Sequence, residues 1–299
     1  MIQFRAMNST VKLTGLTPSM ETGIKDFILQ FEQDASRFIP GNLLYHINQS
    51  PAGVPVFLER TLADLLQKSM ILAKKTGYVV HPFLGEEMKA IGYQDSFHEG
   101  YQPSVQAKLS TKNDLFEIPF HYLSRQWIMK KREFSFDFGG FGKGYIVDRA
   151  MERLMDSNLG SAMINAGGDL AVIGRHQVGI EHPFLKGKDM LRFEICDRAL
   201  ATSGKTYRKW LKEDEPIHHL LHGHTGEVAN NGVLQASVVA NTVMEAETIA
   251  KVFCILPFEE AKTLLKKAFD SFAYFIYFDH HEIAVGGNSS LYEHLEVAS

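Results

Sequence analysis

In the stretch FDFGGFGKGYIVDRA (136–150), chemistry could be done by Asp137, by Lys143 and by the glycines at 139, 140, 142 and 144. Glycines let backbone N–H groups approach an anion, a helix start adds unpaired N–H donors, and a lysine adds charge. The chemistry suggested is phosphate binding. Neither common nucleotide loop fits, however. A G-x-x-x-x-G-K-[ST] loop would need glycine where Asp137 stands and a hydroxyl where Gly144 stands. A G-x-G-x-x-G fingerprint fails on the spacing of Gly140, Gly142 and Gly144. Spacing alone also suits a glycine-rich turn with a solvated lysine.

The elements around this stretch follow from periodicity. Residues 1–16 read as one opening strand ending at Gly15, and METGIKDFILQFEQDASRF spaces Ile24, Phe27, Ile28, Phe31 and Ala35 as a helix face. SRFIPGNLLYHINQSPAGVPV reads as loop. ERTLADLLQKSMILAKKTG places Leu62, Leu65, Leu66, Ser69, Met70 and Ala73 on one face and stops at Gly77. Residues 95–135 show short strand-like runs (FEIPFHYL, QWIMKK) without a helix period, and a helix returns over 145–156. Strands at SAMIN, LAVIGR, LRFEI and SVVA, helices over 244–256 and 258–269, and a strand pair FAYFIYF and EIAV complete the chain. Consecutive strands between helices predict an α+β fold, mainly antiparallel sheet flanked by helices, in one domain over 1–299.

Further motifs follow in order: NAGGD (165–169), ATSG (201–204), HLLHGHTG (219–226) and AETIAK (246–251), with AMNSTVKL and SRFIPGNLLYHIN nearer the start. As an ordered set with DFGGFGKGYIVD, they resemble the ApbE family of flavin transferases. The family pattern reads approximately D-x-G-G-x-x-K-G-Y-x-x-D, N-x-G-G-D, A-T-S-G, H-I-I-D-P-x-T-G and a helix A-D-A-x-x-T. The resemblance covers nearly the whole chain.

It implies FAD bound in a cleft and transfer of its FMN half to a threonine or serine hydroxyl of a target protein, with AMP leaving. Such a reaction depends on positioning and charge neutralisation. By resemblance, FAD would be contacted by Met7, Phe38, the turn His81–Pro82–Phe83, Asp137, Lys143 and the strand near Leu221, with Thr202, Ser203 and Gly204 shaping the opposite wall. Asp137 would accept from adenine or ribose groups, and Lys143 would meet a phosphate or the flavin edge. The Gly140 carbonyl and Glu247 would be the metal ligands beside the pyrophosphate. The family's Mg²⁺ aspartate and threonine correspond to Glu247 and Lys251, and two further family aspartates to His81 and His222. An ammonium cannot ligate Mg²⁺, so the metal is doubtful and Lys251 becomes a candidate catalytic group. Three readings follow: Lys251 takes the metal's electrostatic part, the chain binds FAD without transfer, or it is a scaffold without flavin.

Bulk properties narrow the alternatives. The chain of 299 residues is 45% hydrophobic and 22% charged, with net charge −4 and no basic stripe, which predicts no nucleic-acid partner. Two cysteines, Cys196 and Cys254, and no secretion-type start or apolar span predict a cytoplasmic protein without a membrane span. His218 and His222 would need a helix to converge on zinc, and Gly223 with Thr225-Gly226 predicts strand and turn instead. DHHE (279–282) reads as a hairpin turn, and no G-x-S-x-G elbow occurs.

Overall fold

The first sixteen residues form two strands where one was expected. Met7 and Asn8 adopt φ of 52° and 56°, the left-handed pair that closes a two-residue hairpin. The computed structural model describes residues 1–96, 117–212 and 215–298. In chain order come strands β1 (Ile2–Ala6) and β2 (Ser9–Thr14), helices α1 (Pro18–Ala35) and α2 (Leu43–Gln49), and strand β3 (Pro55–Phe57). Helices α3 (Arg60–Lys75) and α4 (Gly85–Ala90), strands β4 (Phe120–Tyr122) and β5 (Trp127–Lys130), and helix α5 (Gly142–Glu152) follow. Then come β6 (Ala162–Ala166), β7 (Asp169–Ile173), β8 (Arg175–Glu181), β9 (Asp189–Cys196) and β10 (Ala199–Gly204). Strands β11 (Lys209–Lys212), β12 (Glu215–His218) and β13 (Val233–Ala240) precede helices α6 (Val243–Ile255) and α7 (Phe258–Ala268). Strands β14 (Ala273–Phe278), β15 (Ile283–Gly287) and β16 (Glu293–Val297) close the chain.

Eight strands form the central sheet in the order β1-β2-β6-β7-β10-β13-β14-β15, with all its pairings antiparallel. Both of its faces are covered. On β14, Tyr274 and Ile276 face the helices, while Phe275 and Tyr277 face a second sheet, β16-β9-β8, through Val178, Ile180 and Phe193. Burial on both faces explains why FAYFIYF is apolar without alternation. A small sheet β3-β5-β4 lies apart from these two.

Two parts of the expected loop over 36–56 are ordered elements, α2 and β3. Asn42 starts α2 by accepting the Tyr45 N–H at 2.7 Å, a cap that offsets the breaker composition around it. FEIPFHYL contributes β4, and its first residue falls outside the described residues, as do 97–115 of the expected strand-like region. Helix α6 is the central helix: every residue in it except Glu245 is buried. Thr242 caps it by accepting the Glu245 N–H, and Asp148 of α5 accepts the N–H groups of Val243 and Met244 at 2.7 and 2.9 Å. No helix among the described residues is long and apolar enough to cross a membrane.

Candidate functional site

The glycine stretch forms one wall of a cleft whose empty volume, open mouth included, is about 1150 Å³. Gly139, Gly140, Gly142 and Lys143 line it at the start of α5, beside Lys251 from α6, Arg208, His219 and Leu221. Met7, Arg37, Phe38, His81 and Tyr93 line it elsewhere. A Cβ added at Gly140 would meet the Lys251 stem at 3.7 Å and take space from the cleft. The aspartate heading the stretch is engaged internally. Asp137 accepts the Gly139 N–H at 2.6 Å and pairs with Arg37 Nε at 2.8 Å. Arg37 also donates to the Tyr93 carbonyl at 2.7 Å and lies over the rings of Phe38 and Tyr93. Asp137 therefore shapes the turn with one oxygen and holds Arg37 with the other.

At the helix end of the cleft lies a buried ionic cluster. Lys143 Nζ pairs directly with Asp169 Oδ2 and stands 3.7 Å from Glu247 Oε1. Lys251 Nζ, one helical turn beyond Glu247, donates to the same Oε1 at 3.0 Å, and the Gly144 N–H donates to Oε2 at 2.9 Å. Asp169 Oδ1 accepts the Thr202 N–H at 3.3 Å. Burial drives the Glu247 carboxyl upward, but Lys251 and Lys143 outweigh it and hold the group ionised, below its usual range. Burial pushes the Lys143 ammonium down, to about 7, with Glu247 opposing; the contact with Asp169 also favours the charged form. His219 is neutral, since burial drives its pKa well down and Arg208 and Lys251 add to the effect.

Several motif residues have a packing or hydrogen-bonding reason. The Asn165 side chain accepts the Gly168 N–H at 2.9 Å, Gly167 and Gly168 take φ of 70° and 96°, and the turn delivers Asp169 to Lys143. Gly144 is where α5 crosses α6, since a Cβ there would lie 2.7 Å from Met244 Cα. Tyr145 OH donates to Asp64 at 3.0 Å. Gly223 packs on the Tyr78 carbonyl, which a Cβ would meet at 2.1 Å, and its own carbonyl accepts from His81 Nε2 at 2.8 Å.

The model of the ApbE family matches residues 7–276. The chain belongs to the ApbE family. It is 24% identical over 265 residues to the FAD:protein FMN transferase of Treponema pallidum, covering 81% of this chain and 72% of that protein. The Klebsiella pneumoniae FAD:protein FMN transferase is 22% identical over 235 residues, with 77% and 73% covered. The fold matches a crystal structure of the ApbE protein of Thermotoga maritima with a TM-score of 0.83 at 18% identity, covering 98% of each chain. It also matches the Pseudomonas stutzeri flavinyl transferase ApbE, with a TM-score of 0.79 at 16% identity over 97% and 94%. The α+β fold expected from the sequence is thus that of an ApbE protein.

Of the residues expected at the flavin site of this ApbE chain, the cleft gathers Met7, Phe38, His81, Asp137, Gly140, Lys143, Leu221 and Lys251. Six others, Pro82, Phe83, Thr202, Ser203, Gly204 and Glu247, do not line it. Phe83 packs among Phe120, Phe134 and Phe136, and Pro82 meets the site only through its carbonyl, which accepts the Asp137 N–H. Thr202 bonds Ser237 at 2.8 Å within the sheet, and the Ser203 carbonyl accepts from Cys254. Glu247 lies behind Lys251, with neither oxygen open. The residues therefore do not fit a magnesium ion at Glu247, because a hard cation needs carboxylate lone pairs. Among the described residues, Glu194, Glu293 and His294 are a trio that could converge on a metal, but Arg175 pairs with both glutamates. Sequence reasoning missed Arg37, Tyr93, Asp169, Arg208 and His219. Arg37 and Asp169 sit inside motifs that signalled them; Arg208 and Tyr93 carry no local signal.

Proposed function

We propose that this ApbE protein is an FAD:protein FMN transferase, moving FMN from FAD to a threonine or serine hydroxyl of an acceptor protein. The observation that carries the reading is the composition of the cleft. One end sets Lys143, Lys251 and Arg208 against the glycine turn, and other lining residues include Phe38, Tyr93 and Arg37. A dinucleotide has the matching parts: a diphosphate for the cations and glycine backbone, and flat rings for aromatic and guanidinium faces. Met7, His81 and Leu221 would complete the walls, with Asp137 holding Arg37 in place. In the transfer, the acceptor hydroxyl oxygen bonds to the FMN-side phosphorus, and the phosphorus bond to the bridging oxygen breaks. Its electron pair leaves with AMP, and the hydroxyl proton passes to solvent.

The test is to incubate the purified chain with FAD and a threonine-bearing acceptor protein. AMP should be released in step with an FMN ester on the acceptor, read by mass spectrometry. FAD retained without AMP would make the chain a flavin-binding member of the family, a reading supported by the closed carboxylate of Glu247. No retained FAD at all would remove both.

A further inference from the structure

Carboxylates that hold a divalent cation must present free lone pairs to it. The four carboxylate oxygens of Asp169 and Glu247 are all engaged from within. Lys143 lies on Asp169 Oδ2 and the Thr202 N–H on Oδ1; Lys251 and Lys143 face Glu247 Oε1, and the Gly144 N–H faces Oε2. Side-chain cations outnumber these carboxylates, since Arg208 joins Lys143 and Lys251 on the lining. At the start of α5 the Gly142 N–H goes to the Phe138 carbonyl and the Gly144 N–H to Glu247, so the charge on this wall comes from side chains. Lys251 is 8% exposed, and its stem lies against Gly140 on the cleft surface. Such a floor repels a metal ion and attracts an anion.

We infer that in this chain the Lys251 ammonium, with Arg208, neutralises the FAD diphosphate directly, so that FAD binding and FMN transfer need no divalent metal. The inference rests on the transferase reading above. Lys251 reaches the diphosphate by leaving or sharing Glu247 Oε1, while Lys143 stays with Asp169 and keeps Glu247 charged. The bond changes are those of the transfer already described; Lys251 supplies charge to the phosphate oxygens and moves no proton. Glu247 acts through Lys251 and is a positioning residue.

The experiment measures FAD affinity calorimetrically and AMP release in EDTA and in excess Mg²⁺, on the native chain and on two variants. For the native chain, affinity and rate should agree within about twofold between the two conditions. Lys251→Met should weaken FAD binding by about tenfold or more in either. Lys251→Thr removes the closer of the two cations on Glu247 Oε1 and adds a hydroxyl oxygen, so its lost affinity should return in part with Mg²⁺ and not with EDTA. Thermal melts of the variants report whether they fold, and the native arms decide the matter if they do not. The inference is overturned if EDTA weakens native FAD binding by about tenfold or more, or if folded Lys251→Met binds FAD normally. FAD binding that appears only with Mg²⁺ overturns this inference and leaves the transferase reading standing. No FAD binding in either condition sinks both.

Discussion

His81 stacks on Phe83 at 4.7 Å, donates from Nε2 to the Gly223 carbonyl, and accepts the Phe83 N–H at Nδ1. Both ring nitrogens are used in the neutral form, so a second proton has no place. Burial lowers its pKa to about 4, with the Gly223 bond opposing only partly. The unfolded ring takes its proton near 6.5, so between those values the unfolded chain binds more protons and acid favours it. The stabilisation is complete above about pH 6.5 and lost as pH falls through about 4, a change of about 3 kcal/mol from this one group. Burial drives His218 in the same direction, to about 4, whereas burial raises Asp148 to about 7 and works with the opposite sign. Comparing native protein with His81→Gln isolates the imidazole. In urea titrations the stability gap between the two should shrink by about 3 kcal/mol from pH 7 to pH 4. A gap that does not change with pH would mean that His81 takes a proton as readily in the fold as in the unfolded chain.

At the level of elements, the site depends on how closely α5 and α6 cross. A Cβ at Gly144 would sit 2.7 Å from Met244 Cα, 2.8 Å from Met244 N and 2.9 Å from Glu247 Oε2. Two of those atoms are backbone, so no rotamer change relieves the clash. Gly144→Ala should cost about 1–3 kcal/mol or more and pull the Gly144 N–H off Glu247. Gly23, on the exposed face of α1, has nothing within 4 Å of its Cβ position. Gly23→Ala should therefore stabilise by about 0.5–1 kcal/mol through helix propensity and a stiffer unfolded chain. Equal effects of the two substitutions in thermal melts would show that the crossing is not close-packed. Helices α1 and α3 were legible because each buries one stripe: Ile24, Ile28, Phe31 and Ala35 in α1, and Leu62, Leu65, Leu66, Ser69 and Ala73 in α3. Less legible was whatever depends on a partner. The β1–β2 turn uses Met7 and Asn8 where glycine is the usual signal, and β16 is a strand with every residue exposed, defined only by its pairing with β9.

For the molecule as a whole, ordered motifs made the family readable while the geometry of the cleft stayed hidden. A motif records residue type and order, so Lys143 and Glu247 were visible, but their shared environment depends on Asp169, Arg208 and His219 arriving from distant strands and loops. The same dispersion gives a thermodynamic consequence. Met7, Arg37, His81, Asp137, Lys143, Arg208, Leu221 and Lys251 meet only in the folded chain, so a ligand bound among them binds the native state alone. FAD at one hundred times its Kd should then add about 2.7 kcal/mol to stability. With an unfolding entropy near 2.1 cal/mol/K per residue, the 299 residues convert this to a rise in Tm of about 4 °C. The rise should be the same in EDTA as in Mg²⁺, because the charges facing the diphosphate belong to the chain. Inorganic diphosphate, which can use the cations but not the rings of Phe38 and Tyr93, should need far higher concentrations to give the same shift. A diphosphate effect equal to that of FAD at equal concentration would show that the aromatic wall takes no part. An unmoved Tm at saturating FAD would mean that the cleft is not the binding site.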